Sequence, residues 1–229
     1  MGTDNLYHKR KLPIEGRKRN IRTPKAKSFL IVSEGEKTEP IYFDGLAKHI
    51  NDKYGKSIDV EKPIIKTCGE GKCTVSLVEE AAKIHADQSK ILYNQVWVVF
   101  DKDDFKDFDE AVDLAKKHGF HVAWSNESFE YWLYLHFNYN DSALHRRQWV
   151  EKLDELFKAG ITKGGYNKND PHLFEIVTTH GNLKAAISNA YRIEDRYNEK
   201  SQKPSEQNPC TKVHHLVNEL KEYLDDLLY

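Results

Sequence analysis

Val96-Trp97-Val98-Val99-Phe100-Asp101-Lys102-Asp103 is the stretch on which the fold turns. Its β-branched and aromatic residues run without interruption and stop abruptly at carboxylates. A continuous apolar run bounded by polar turn residues suits a strand buried on both faces, as in a parallel sheet. Upstream, Phe29-Leu30-Ile31-Val32-Ser33-Glu34-Gly35 repeats the pattern. In open α/β sheets, chemistry collects just beyond the carboxyl ends of such strands. Glu34, Asp101 and Asp103 are therefore expected on one sheet edge, close enough to hold a divalent cation.

The surrounding chain supports alternation of strands and helices. After Glu34-Gly35, Thr38 can cap a helix with Pro40 in its first turn and Ile41, Leu46 and Ile50 on one face. A second strand is expected over 60–67, and a glycine turn over 68–74 leads into a helix over 75–86. Further elements are a helix over 108–117 ended by Gly119, a short strand over 120–124, and an aromatic helix over 129–137 capped by residues 125–128. This predicts an α/β class with a βαβα core and a mainly parallel sheet. From about 143 the pattern is helical: 144–159, 171–179, 183–199 and a closing amphipathic helix over 211–228. This part shows no clear strand and is expected to pack on the sheet. The organisation is thus an arm (1–27), an α/β core (28–140) and a helical C-terminal region (141–229).

The chain has 229 residues, 31% of them charged, and a net charge of −1. Residues 1–28 carry +7, from Lys9, Arg10, Lys11, Arg17, Lys18, Arg19, Arg22, Lys25 and Lys27 against Asp4 and Glu15, leaving about −8 on the remainder. A basic arm on an acidic body suits phosphate binding, or a solubilising tail. Three cysteines without zinc-ligand spacing suggest thiols in a reducing compartment. With no long apolar span and no secretory segment, a cytoplasmic protein is expected.

Asp101 and Asp103 can turn toward one ion, and Mg²⁺ or Mn²⁺ favours such hard oxygens. Glu34 would complete the site or act as a general base. Glu130, in the first turn of the aromatic helix, and Glu39, five residues past Glu34, are further candidate ligands. Glu127 reads better as a carboxylate complementing a helix dipole. In the glycine-rich loop 162–170, Lys168 is preferred over Lys163 as a cation meeting a phosphate. The aromatics around Glu130 read as core. Gly69-Glu70-Gly71-Lys72-Cys73-Thr74 lacks the spacing of a phosphate loop. His214 and His215 show no ligand spacing and read as surface or core residues.

A Glu at the end of the first strand with an Asp-x-Asp after a later one resembles the Toprim domain of topoisomerases, primases and OLD-family nucleases. The wording is closer still to RloB-like (AbiL-type) proteins of bacterial phage defence, over residues 29–43, 99–103, 125–137 and 208–217. The resemblance covers nearly the whole chain. It implies a Toprim-like Rossmannoid fold and a metal-dependent nuclease site with Glu34, Asp101, Asp103 and Lys168 catalytic and Glu39 and Glu130 as further ligands. It also implies a partner ATPase and abortive infection, with RNA such as tRNA a better substrate than DNA. The arm residues Lys9, Arg10, Lys11, Arg17, Lys18, Arg19 and Arg22 would supply nucleic-acid affinity. Competing readings are a non-catalytic sensor or scaffold beside the ATPase, and a metal-dependent small-molecule phosphohydrolase.

Overall fold

The computed structural model describes residues 27–55, 64–69, 74–87 and 92–228. The basic residues Lys9 to Arg22 and positions 60–63 of the expected second strand lie outside them. β1 (Ser28–Ser33) and β3 (Gln95–Val99) are the centre of a parallel sheet of order β2-β1-β3-β4, with β2 at Ile64–Gly69 and β4 at His121–Val122. Ser33 stands opposite Gly69 on one side and Val99 on the other. Every residue of β1 is buried, as are Val96 to Phe100. Helices cover both faces, so neither strand needs a polar side.

α1 (Thr38–Tyr54) connects β1 to β2, α2 (Thr74–Ala86) crosses back to β3, and α3 (Phe108–Lys117) leads to β4. The connections after β1 and β3 thus leave in opposite directions. Where strand order reverses in this way, a crevice opens beyond the carboxyl ends of the two strands. α4 (Phe129–Leu135), α5 (Arg146–Gly160), α6 (Leu173–His180) and α7 (Leu183–Glu194) follow. α6 packs on α1, while α5 and α7 pack on α4. One hydrophobic core joins β1 to these helices, from Phe29 through Trp132 and Trp149 to Leu224.

Several expectations are corrected. Thr38 is the first residue of α1 rather than its cap, with Lys37 at the cap position. The buried face of α1 is carried by Tyr42, Phe43, Leu46 and Ile50, with Ile41 only half-buried. The strand expected over 120–124 shortens to His121–Val122, which closes the parallel sheet, and Ser125–Asn126, read as part of a helix cap, forms β5 and pairs antiparallel with β6 (Cys210–Thr211). The C-terminal region therefore does contain a strand, too short for alternation to reveal. The expected closing helix breaks into α8 (Val213–Glu219) and α9 (Asp225–Leu228). Among the described residues no helix is long and apolar enough to cross a membrane.

Candidate active site

The crevice brings the two strand ends together. The Glu34 N–H extends the ladder onto the Val99 carbonyl at 2.9 Å, and Glu34 Oε2 accepts from the Asp101 N–H at 3.3 Å. Around Asp101 the backbone is clamped to β5: the Lys102 N–H donates to Ser125 O at 2.8 Å and the Ser125 N–H to Phe100 O at 3.2 Å. Asp101 Oδ2 accepts from the Phe129 N–H at 3.0 Å, so this carboxylate tethers the start of α4. Ser128 holds the cap position but makes no side-chain cap bond. Asp101 Oδ1 is buried with no hydrogen-bond partner. Asp103 has φ of 38°, a left-handed conformation that Asp tolerates at a cost on the order of 1 kcal/mol.

Glu39 and Glu130 enter from the first turns of α1 and α4. Glu39 is 7% exposed, and its carboxylate lies against Gly35: a Cβ there would come within 2.1 Å of Glu39 Oε2. A side chain at position 35 would displace that carboxylate. Glu130 Oε1 accepts from the Tyr166 hydroxyl at 3.2 Å. The Lys168 carbonyl accepts from Thr38 Oγ1 at 3.4 Å, anchoring the glycine-rich loop on α1. These residues line a cleft of about 840 Å³ that holds Glu39, Asp101, Asp103, Glu130, Arg146, Arg147, Tyr166 and Lys168. Glu34 is not part of the lining and bonds to the Asp101 amide at its edge.

Too many like charges share too little water here. Burial pushes Glu34 up to about 7, aided by the charges of Asp103, Glu39 and Asp107 against the Asp101 amide. Burial likewise pushes Glu39 up to about 7, with Glu130 and Asp103 adding to it and Lys168 opposing. Asp101, partly exposed as a residue but buried at its carboxylate, is held well above the usual carboxylate range by burial and by Glu39 and Glu130. Burial and like charge together hold protons on these carboxylates, which makes the cleft the candidate site.

Some positions play other parts. Glu127 is not in the cleft lining; its Oε2 accepts from the Arg146 N–H at 2.9 Å, so it complements the start of α5 rather than α4. Lys163 lies outside the lining. The aromatics of α4, Phe129, Tyr131 and Trp132, are core as expected. Arg146 and Tyr166 are residues that pattern reading missed. Arg146 pairs with Asp103 at 2.6 Å and Asp104 at 3.1 Å. Its signal was available: two arginines in the first turn of a helix oppose the macrodipole, and a broken local rule points to a function.

Among the described residues, one set of three His, Cys, Asp or Glu side chains has donor atoms all within 4.8 Å of one another. It is Glu194, His214 and His215, not the cleft carboxylates. The histidines read as lacking ligand spacing are thus brought together with a distant glutamate. In the cleft, Asp103 is engaged by Arg146 instead.

A family model described as RloB-like protein matches residues 29–220. The chain belongs to this RloB-like family. The matched span contains both strand ends, the cleft and the paired histidines. No curated protein and no solved structure matches the chain.

Proposed function

We propose that this RloB-like protein is a Toprim-type nuclease of the AbiL kind, dependent on Mg²⁺ or Mn²⁺. It would act in phage defence on RNA such as tRNA, alongside an ATPase partner. The observation that carries this reading is the convergence of Glu34, Glu39, Asp101, Asp103 and Glu130 on one strand-end crevice with Asp101 Oδ1 left unpartnered. The donor set fits a hard divalent cation, which takes a few carboxylates plus waters.

Asp101 and Asp103 would hold the ion, with Glu39 and Glu130 as further ligands. Bound there, it would neutralise charge developing on a phosphodiester and favour ionisation of water. The protein's own groups supply the rest. Glu34, with a pKa of about 7, is poised to take a proton at neutral pH, and the Asp101 amide fixes one of its oxygens. Lys168, Arg146 and Arg147 form the cationic side of the cleft and suit a phosphate backbone. Tyr166 fixes Glu130.

The test offers tRNA, other RNA and DNA to the purified protein with Mg²⁺ or Mn²⁺, with and without the ATPase partner. Cleavage is expected to fall at least about a hundredfold in an Asp101→Asn/Asp103→Asn variant, the scale of losing a strong transition-state electrostatic contact. Cleavage that persists in the variant refutes the metal-site assignment. No cleavage of any polymer under either condition favours the non-catalytic scaffold.

A further inference from the structure

The stretch Thr211-Lys212-Val213-His214-His215 takes no part in the cleft. Glu194, the last residue of α7, receives His214 Nε2 on Oε2 at 2.7 Å, and His215 Nε2 lies across both its oxygens, 2.9 Å from Oε2 and 3.1 Å from Oε1. Lys212 Nζ meets the other oxygen, Oε1, at 2.5 Å and also contacts Glu199. Consecutive residues on a helix diverge, so two neighbouring imidazoles meeting one oxygen need a shared partner. The ring centroids lie 4.1 Å apart with the planes tilted by 35°. Glu194 also sits at a helix carboxyl end, where the macrodipole favours a cation.

We propose that Glu194 Oε2, His214 Nε2 and His215 Nε2 form a site for a first-row transition-metal ion of the zinc class, which would tie the end of α7 to the start of α8. Two imidazoles and one carboxylate are a three-ligand set that suits such an ion rather than Mg²⁺. Lys212 holds Oε1 and so aims Oε2 at the histidines, as an outer partner orients a ligand. Ligands about 2.1 Å from a tetrahedral ion stand roughly 3.4 Å apart, so Oε2, now 2.7 and 2.9 Å from the two nitrogens, would draw back from them by about half an ångström or slightly more. Each imidazole would turn its Nε2 lone pair to the ion, the proton now on Nε2 passing through solvent to Nδ1. His214 is fully buried and its Nδ1 has no hydrogen-bond partner among the described residues, so the proton moved there would need pairing by a water or a small rearrangement, a cost the ion's binding has to exceed.

An entry path exists. The His215 side chain is 38% exposed and opens, with Glu194 and Lys212, into a second cleft of about 430 Å³ beside Trp124. The site also reaches the active-site scaffold. The Lys212 N–H donates to Trp124 O at 2.7 Å, and Thr211 Oγ1 and Ser125 Oγ are hydrogen-bonded at 2.9 Å, on the strand that clamps Asp101. The competing account is an ionic knot that needs no metal.

The full chain, stripped with a chelator, is titrated with Zn²⁺ by calorimetry and with Co²⁺ by visible absorption, and its melting temperature is followed. The expected result is one tightly bound equivalent, a tetrahedral Co²⁺ spectrum and a raised melting temperature. Binding should weaken about tenfold or more in His215→Ala, since even outer partners of a ligand are worth that much. His215→Gln gives a second variant, with circular dichroism reporting the fold of each. Asp101→Asn should bind Zn²⁺ as wild type does. The proposal is overturned if the folded wild-type chain binds no Zn²⁺, if folded His215 variants bind it unchanged, or if Asp101→Asn abolishes the binding.

Discussion

The acidic cleft and the Glu194 knot solve the same problem in opposite ways. Glu194 is one carboxylate among donors, and its pKa is driven far below the ordinary range by His214, His215 and Lys212 against the cost of burial. The cleft holds Glu39, Asp101, Asp103 and Glu130 with Glu34 at its edge, and Glu34, Glu39 and Asp101 are all pushed upward. A buried charge with its own counter-ion is architecture. Buried charges of one sign without enough counter-ions cost stability, and they persist where a ligand supplies the missing charge.

Opposite signs of mutational effect should follow. Removing Glu194 leaves Lys212, whose side chain is 8% exposed, beside two imidazoles with the more exposed Glu199 as its remaining carboxylate. Glu194→Ala is expected to cost on the order of 3–5 kcal/mol in chemical denaturation, the usual penalty for breaking a buried pair. A loss below about 1 kcal/mol would erase the contrast.

Glu39→Gln should act in the other direction. The folded pKa of about 7 lies above the ordinary 4.5, so between those values the folded chain keeps a proton that the unfolded chain has lost. Stability from this group is therefore lost as pH rises through that window. The variant should be about 1–3 kcal/mol more stable than wild type at pH ~8 and nearly equal at pH ~4, while losing the proposed nuclease activity. His136 and His214, both lowered by burial, slope the other way but are shared by both chains and cancel, so the difference reports Glu39 together with the relief its neutralisation gives Glu34 and Asp101. The check is denaturation of the metal-free proteins across this range.

Arg146→Ala sharpens the comparison with the smallest effect. The pair with Asp103 is about one-third exposed on each side, so its loss should change stability by under about 1 kcal/mol. By freeing Asp103 it should tighten Mg²⁺ binding roughly two- to fivefold, the equivalent of about 0.5–1 kcal/mol in calorimetry. Weaker Mg²⁺ binding would show that Arg146 supports the ion's site rather than competing for it.

The central sheet was legible because β1 and β3 are buried on both faces and read as unbroken apolar runs ending in carboxylates. That alone placed Glu34 beside Asp101. The β5–β6 ribbon was not legible: its strands are two residues each, and the pairing spans some 85 positions between Ser125 and Thr211. The role of His214 and His215 was hidden for a related reason, since their partner Glu194 lies about twenty residues away across a loop. Arg146 joins Asp103 only because Glu127 holds the start of α5 against the β3 end. Local spacing carries the strand ends, whereas the cationic side of the cleft depends on tertiary packing.

The most direct measurement is Mn²⁺ binding followed by electron paramagnetic resonance in the full chain and in Asp101→Asn. The account predicts saturable binding in the wild type that weakens as pH falls below about 7 and is lost in the variant, because Asp101 Oδ1 lacks a hydrogen-bond partner among the described residues. Equal binding by both proteins would contradict it.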